Sequence, residues 1–134
     1  MLISFSLLGI ILISSFLVLN RIKISKNYIK IYETTTIEVV KKAQFLSLTN
    51  SENSEWGVKF KNNDVILFKG SSYLNREKDS DVIYKTNDWV KFEGLDEIVF
   101  EKLTGKPNAV GNILLTSSLE TAVLTVNENG NIAN

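Results

Sequence analysis

The chain has 134 residues with 15 basic and 15 acidic side chains, and it contains neither cysteine nor histidine. This length fits one small domain plus one additional helix, and the even charge balance excludes a bulk electrostatic attraction to nucleic acid or anionic lipid. Because there is no cysteine, disulfide bonds are excluded and the sequence does not indicate the redox compartment. Because there is no histidine, the commonest general base and metal ligand is missing.

Residues 1–20 contain no charged side chain, and the first charge is Arg21. A helix of this length, at ~1.5 Å rise per residue, roughly matches the ~30 Å hydrocarbon core of a bilayer. A buried core helix would show one apolar stripe, whereas this stretch is apolar all round. A cleaved secretory signal would need a basic start and a small-residue cleavage site, which are missing here. The stretch therefore predicts an uncleaved transmembrane helix.

The distribution of basic residues around this stretch conflicts with a simple membrane topology. Arg21, Lys23, Lys26 and Lys30 follow it, and no basic residue precedes it. The positive-inside rule would then place the rest of the chain in the cytoplasm. Either that orientation is correct, or residues that belong upstream of Met1 are missing from this sequence.

Residues 21–50 are predicted to form an amphipathic helical stem. Apolar side chains recur at three- and four-residue steps, the spacing of one helical face: Ile24, Tyr28, Ile31, Val39, Ala43 and Leu46. Glu38 precedes Lys42 by four residues, which favours a helical ion pair. The β-branched residues 34–36 weaken the helix and predict a bend or a frayed turn. The polar residues 49–54 predict the loop that ends it.

Residues 51–134 are predicted to form a small antiparallel β head. Residues 56–60 alternate between apolar and polar or small side chains, and a turn at 62–64 leads into the apolar run 65–68, which predicts a hairpin. Asn129-Gly130 is a strong turn signal. Further apolar runs predict strands or short extended segments at 73–74, 82–84, 89–92, 98–100, 111–115 and 122–126. The predicted fold class is α+β, with a long N-terminal helix, membrane-spanning in its first half and amphipathic in its second, packed on this head.

No group of residues in the head has the features of an active site. The serines have no histidine to activate them. The carboxylate pairs Asp79/Asp81 and Asp96/Glu97 lie in hydrophilic sequence, so a solvated loop is preferred to an acid/base pair, which needs one desolvated carboxylate. Residues 127–131 lack the aspartates and the distant glutamate that calcium requires, and predict a plain hairpin turn. We predict no catalytic, cofactor-binding or metal-binding residues, no cofactor, and no enzymatic activity.

Two stretches of the chain carry a family resemblance. The first is the apolar run 1–11, with a glycine at position 9. The second is an ordered series of short motifs in the head: Trp-Gly-Val-Lys-Phe at 56–60, Ile-Val-Phe at 98–100 with Gly105 and Pro107, Gly-Asn-Ile-Leu-Leu at 111–115, and Leu-Thr-Val-Asn at 124–127 before Gly130. This pattern resembles type IV pilins and type II secretion pseudopilins, above all minor pseudopilins of the H type and their FimT-type pilus relatives. It spans nearly the whole chain.

The resemblance implies a pilin-like fold and a structural role as a minor pilin or pseudopilin in a type II secretion or type IV pilus-like filament. Other pilins or pseudopilins, the membrane and the inner-membrane assembly machinery would be its partners. The subunit would be a single-pass protein of the inner (cytoplasmic) membrane with its head outside the cytoplasm, and later part of a filament in the cell envelope. The sequence does not indicate whether the machine secretes proteins, builds a pilus or imports DNA.

The chain departs from this family at its start. The prepilin cleavage motif and its glutamate are absent, because the sequence begins just after the place where they would stand. We expect a start codon assigned too late, which would also explain the distribution of basic residues. The alternative is a membrane protein that has lost its leader.

Two other functions remain as alternatives. A DNA-binding minor pilin for natural transformation would be expected to carry a basic patch near the C-terminus, but only Glu120 and Glu128 are charged after Pro107. Trp56 and Trp89 are predicted to lie in the core rather than to stack on nucleic acid, since no basic residues are interleaved with them. The second alternative is a membrane-tethered β domain of the envelope that is unrelated to filaments.

Overall fold

The computed structural model describes the backbone of residues 2–134 and the side chains of residues 8–20 and 28–134. Over this range the chain forms one α-helix, α1 (Leu2–Leu48), followed by eight strands, with short 3-10 helices at Ser51–Asn53 and Lys78–Ser80. The strands are β1 (Trp56–Lys61), β2 (Asp64–Lys69), β3 (Val82–Lys85), β4 (Lys91–Gly94), β5 (Glu97–Phe100), β6 (Gly111–Thr116), β7 (Thr121–Val126) and β8 (Ile132–Ala133).

The strands form two antiparallel sheets of four strands, ordered β3-β2-β1-β5 and β4-β6-β7-β8. The predicted hairpin at 56–68 is confirmed, because β1 pairs with β2 from Trp56↔Lys69 to Lys61↔Asp64. Only two residues connect these strands. One of them, Asn63, has φ +77°, in the left-handed region that asparagine tolerates in tight turns.

Strand β2 of the first sheet is buried on both faces, whereas β3 at the edge of the same sheet is mostly exposed. Val58 and Leu67 are paired and face the main core, whereas Phe68 lies on the opposite face and is also fully buried. Residues 70–81, which we call the strap, cross this outer face. The ring of Tyr73 in the strap meets the ring of Phe68 edge-on at 5.7 Å between centroids. The apolar run 65–68 is therefore a strand that is covered on both sides.

The main core lies between α1 and the inner faces of the two sheets. The buried residues of the helix recur mostly at three- and four-residue steps and are Ile29, Glu33, Thr36, Val39, Val40, Ala43 and Ser47. The predicted stripe is thus only partly correct, since Ile31 is 55% exposed and Tyr28 is 38% exposed. The helix continues through residues 34–36, where Thr34 and Thr36 donate their hydroxyl protons to backbone carbonyls four residues back.

The predicted fold class is wrong on two points. The β part is not a small head on a membrane-anchored helix but eight strands in two sheets that supply most of the described core. In addition, no helix in the described part of the chain is long and apolar enough to cross a membrane. This finding overturns the predicted transmembrane helix and, with it, the predicted location as a single-pass inner-membrane protein.

Among the described side chains, the apolar stretch in the first part of α1 comprises residues 8–20. The predictions that concern the side chains of residues 1–7 and 21–27, including Arg21, Lys23, Ile24 and Lys26, lie outside the described residues.

Candidate functional site: an exposed apolar helix segment

The most unusual surface of the described structure is residues 8–20 of α1, which we call the apolar helix segment. Its large apolar side chains are each more than half exposed: Leu8, Ile10, Ile11, Leu12, Ile13, Phe16, Leu17, Val18 and Leu19. Because an α-helix turns once in ~3.6 residues, the consecutive residues 10–13 alone present apolar side chains in every direction around the axis. Soluble monomers rarely expose such a continuous apolar surface, so it indicates an interaction site.

The polar residues of this segment do not interrupt its apolar character. The hydroxyls of Ser14 and Ser15 both donate to the carbonyl of Ile11, at 2.9 and 2.8 Å. A Cβ built on Gly9 would meet no atom within 4 Å, so this position forms an open notch in the surface. The segment therefore combines bulky side chains with small residues that allow another helix to approach closely.

The next described part of the helix, residues 28–48, is firmly attached to both sheets. Gln44 donates from Nε2 to the carbonyls of Gly105, at 3.1 Å, and Asn129, at 2.8 Å, which lie in two different turns. The hydroxyl oxygen of the buried Ser47 accepts the backbone N–H of Trp56 at 2.9 Å. These bonds fix the direction in which the apolar helix segment leaves the sheets.

Glu33 is a buried carboxylate on the docked part of the helix. Its Oε1 accepts hydrogen bonds from Nζ of Lys30 at 3.2 Å and from the side-chain amide of Asn134. A cleft of about 410 Å³ borders it, and Glu120 is a second carboxylate on the cleft wall. Because both donors satisfy Glu33, its arrangement is that of a polar contact between helix and sheet rather than of a catalytic acid.

Three of the four carboxylates in the candidate pairs, Asp81, Asp96 and Glu97, take part in ion pairs, whereas Asp79 is exposed. Asp96 accepts a hydrogen bond from Nζ of Lys59 at 2.7 Å, and this bond lowers the pKa of Asp96 below its usual value. Asp81 receives Nε of Arg76 on both oxygens, at 2.8 and 3.0 Å, with both side chains mostly buried. The expectation of a solvated loop is wrong for Asp81, because the strap folds onto the sheet.

Lys69 on β2 also holds the strap, through an ion pair with Glu77. Its ammonium group lies 2.6 Å from Glu52 and 2.7 Å from Glu77. The hydrogen bonds to Glu52 and then to Glu77 raise the pKa of Lys69, and the hydrogen bond from Lys69 is the main cause of the lowered pKa of Glu77. The guanidinium of Arg76 stacks 3.7 Å above the ring of Tyr73. This cluster holds the strap in place.

The two tryptophans have different environments. Trp56 is buried, as predicted, and donates from its indole nitrogen to the carbonyl of Ser51 at 3.1 Å. Trp89 is 65% exposed, so its predicted place in the core is wrong. The neighbouring Val90 enters the core instead. The preceding Asn87-Asp88 is the sequence signal of a turn that could have indicated this reversal.

The remaining predicted sites have structural explanations. At 127–131, the side-chain oxygen of Asn127 accepts the backbone N–H groups of Asn129 and Asn131, which confirms the predicted hairpin turn. Within the residues whose side chains are described, no group of three or more histidine, cysteine, aspartate or glutamate side chains could hold a metal ion.

No protein-family model matches the chain, and no curated protein or solved structure matches it. The resemblance to pilins and pseudopilins therefore depends on the sequence motifs alone. The assignment to a pseudopilin of a secretion system that is anchored by a transmembrane helix has no support from these comparisons, and the structure contradicts its membrane helix.

Proposed function

We propose that this chain is a non-enzymatic structural subunit that assembles with further copies of itself, or with closely similar subunits, through the apolar helix segment. One observation carries the proposal: the large apolar side chains of residues 8–20 are exposed on all sides of the helix. A partner with a single groove would cover one face and leave the rest in water. Several neighbouring helices in a bundle or filament would cover the whole circumference.

Equivalent helices fit this surface by chemistry as well as by shape. Residues 8–20 carry no charged side chain, so like segments do not repel one another. Burying a leucine, isoleucine or phenylalanine fully is worth about 1.5–3 kcal/mol. The segment offers enough such side chains to offset an association cost on the order of 4–15 kcal/mol. The notch at Gly9 provides a place for a neighbour's bulky side chain.

The DNA-binding alternative is supported less well. Among the side chains that the structure describes, Lys59, Lys61 and Arg76 form a group of basic residues around Tyr73. Two of them are neutralised locally, because Lys59 pairs with an aspartate and a glutamate and Arg76 pairs with an aspartate. A phosphate backbone would have to displace these carboxylates.

The absence of cysteine from the chain allows a clean crosslinking test. Ser14→Cys places a thiol within the apolar helix segment, and Thr34→Cys places one at an exposed position of the docked part of the same helix. In the full chain without lipid, we expect Ser14→Cys to form disulfide-linked dimers under mild oxidation and Thr34→Cys to form none. The absence of disulfide-linked dimers for both variants at every protein concentration, or association of the chain with lipid vesicles only, would overturn the proposal.

A further inference from the structure

The backbone around Trp89 holds this side chain outside the core. The N–H of Trp89 donates to the side-chain oxygen of Asn87 at 3.2 Å, and the N–H of Val90 donates to the Asn87 carbonyl at 2.9 Å. Val90 is 2% exposed and is part of the main core. With Val90 fixed inwards and the turn closed by Asn87, Trp89 is directed to the surface.

Aromatic contacts fix the orientation of the exposed ring. Trp89 meets Tyr28 of α1 edge-on, at 6.4 Å between ring centroids and an interplanar angle of 89°. Tyr28 in turn stacks on Tyr32, with the two rings within 16° of parallel. A ring held in this way loses little conformational freedom when a ligand binds to it, which favours a recognition role.

A cleft of about 490 Å³ is lined by Trp89. Its other lining residues are all charged or carry a hydroxyl group: Asp88, Lys91, Glu93, Thr116, Ser117 and Ser118. Lys91 is paired with Thr116 across β4 and β6, so these two side chains share one face of the sheet. The hydroxyl of Ser117 is occupied by the N–H groups of residues 119 and 120 and by the carbonyl of residue 120.

We propose that Trp89 and this cleft form a binding site for a neutral saccharide. A sugar ring has an apolar C–H face that can lie on an indole, and a rim of hydroxyls that each donate and accept hydrogen bonds. In the same cleft as the tryptophan, the carboxylates of Asp88 and Glu93 supply acceptors and the ammonium of Lys91 supplies donors. The cleft volume lies within the ~300–1,000 Å³ of small-molecule sites.

Other ligand classes fit this surface less well. Two carboxylates against one ammonium group disfavour a phosphate or another anion. A tryptophan that anchors a protein partner usually lies in a patch that becomes fully desolvated, whereas charged and hydroxyl groups surround Trp89. The site is separate from the apolar helix segment, so it does not depend on the proposed assembly.

The test is calorimetric titration of the full chain with three neutral oligosaccharides: chitotetraose, cellotetraose and maltotetraose. We expect saturable, millimolar-range binding of at least one. Trp89→Ala should weaken it at least ~10-fold, which corresponds to about 1.4 kcal/mol, and Trp89→Phe should retain part of it. The control is Leu74→Ala in the strap, where the side chain is 90% exposed and lies outside the cleft. Its affinity should be unchanged.

Circular dichroism of each variant checks that the fold is kept. The proposal is overturned if none of the three oligosaccharides binds, or if Trp89→Ala binds them as tightly as the unmodified chain. It is also overturned if sedimentation shows that Trp89→Ala abolishes self-association while no saccharide binds, because Trp89 would then be a contact between subunits.

Discussion

Two parts of one helix differ in almost every respect that matters for function. In residues 8–20, the large apolar side chains are exposed. In residues 28–48, the stripe that packs on the sheets includes Glu33, Thr36 and Ser47. The more apolar part therefore lies in solvent, and the more polar part lies partly in the core. Hydrophobicity alone does not tell which helical surface is buried within the chain, because a buried polar group is tolerated where it finds a hydrogen-bond partner.

The largest expected effect comes from placing the same charge in each part. Val40→Asp puts a carboxylate at a fully buried position, and an unpaired buried charge should destabilise the fold by about 3–5 kcal/mol or prevent folding. Val18→Asp, at a 57% exposed position, should leave the stability of the fold unchanged and weaken self-association. Urea unfolding and sedimentation measure the two effects. Equal loss of stability in both variants would contradict the comparison.

The second effect concerns two serines. Ser47→Ala leaves the buried N–H of Trp56 without its side-chain acceptor, which should cost about 1–3 kcal/mol. Ser14→Ala removes only a hydroxyl bonded within its own helix and should change stability by less than about 0.5 kcal/mol. Both values follow from denaturant midpoints. If Ser47→Ala leaves the stability unchanged, this bond does not contribute to the docking of the helix.

The third effect concerns the contact between the helix and the turns. Gln44→Ala removes the hydrogen bonds to the carbonyls of Gly105 and Asn129 and should cost about 1–3 kcal/mol in all, because each bond contributes ~0.5–1.5 kcal/mol net. Lys41→Ala, at an exposed position three residues earlier, is the control and should be nearly neutral. If neither substitution lowers the free energy of unfolding, the two turns do not depend on the helix.

The smallest effect is the pH dependence of the strap. The lowered pKa of Glu77 means that its contribution is complete above its ordinary value of 4.5 and is lost as the pH falls through the lower folded value. The raised pKa of Lys69 gives a contribution that is present below 10.5 and lost above the folded value. Protection of the strap amides, measured as exchange relative to the intrinsic rate at the same pH, should therefore fall below about pH 4. Lys69→Met should remove most of this change.

The sequence predicted the strands best where side chains alternate or where a turn is unambiguous. The hairpin of β1 and β2 and the turn at Asn127 follow from such local signals. The outer burial of Phe68 could not be predicted in the same way, because the strap that covers it has no periodic pattern of its own. Only the contact between Tyr73 and that ring, formed across the sheet, shows the second layer.

The helix shows the same limit more clearly. A search for apolar residues at helical spacing selects Ile31, which is exposed, and passes over Glu33 and Ser47, which are buried. The burial of Glu33 depends on a hydrogen bond from Asn134, far along the chain. The burial of Ser47 depends on a hydrogen bond from Trp56, in the next element. The prediction that Trp89 lies in the core was wrong for a related reason. The turn at Asn87, and not the hydrophobicity of the side chain, determines the direction in which Trp89 points.

The pair of hydrogen bonds from Gln44 has a consequence for the order of folding. Its partner Asn129 is 85 residues further along the chain, so closing this contact costs much loop-closure entropy. The hairpin of β1 and β2 needs only a two-residue connection and can form within microseconds. We expect the hairpin to form early and the helix to dock late. Gln44→Ala should therefore accelerate unfolding while leaving the folding rate nearly unchanged.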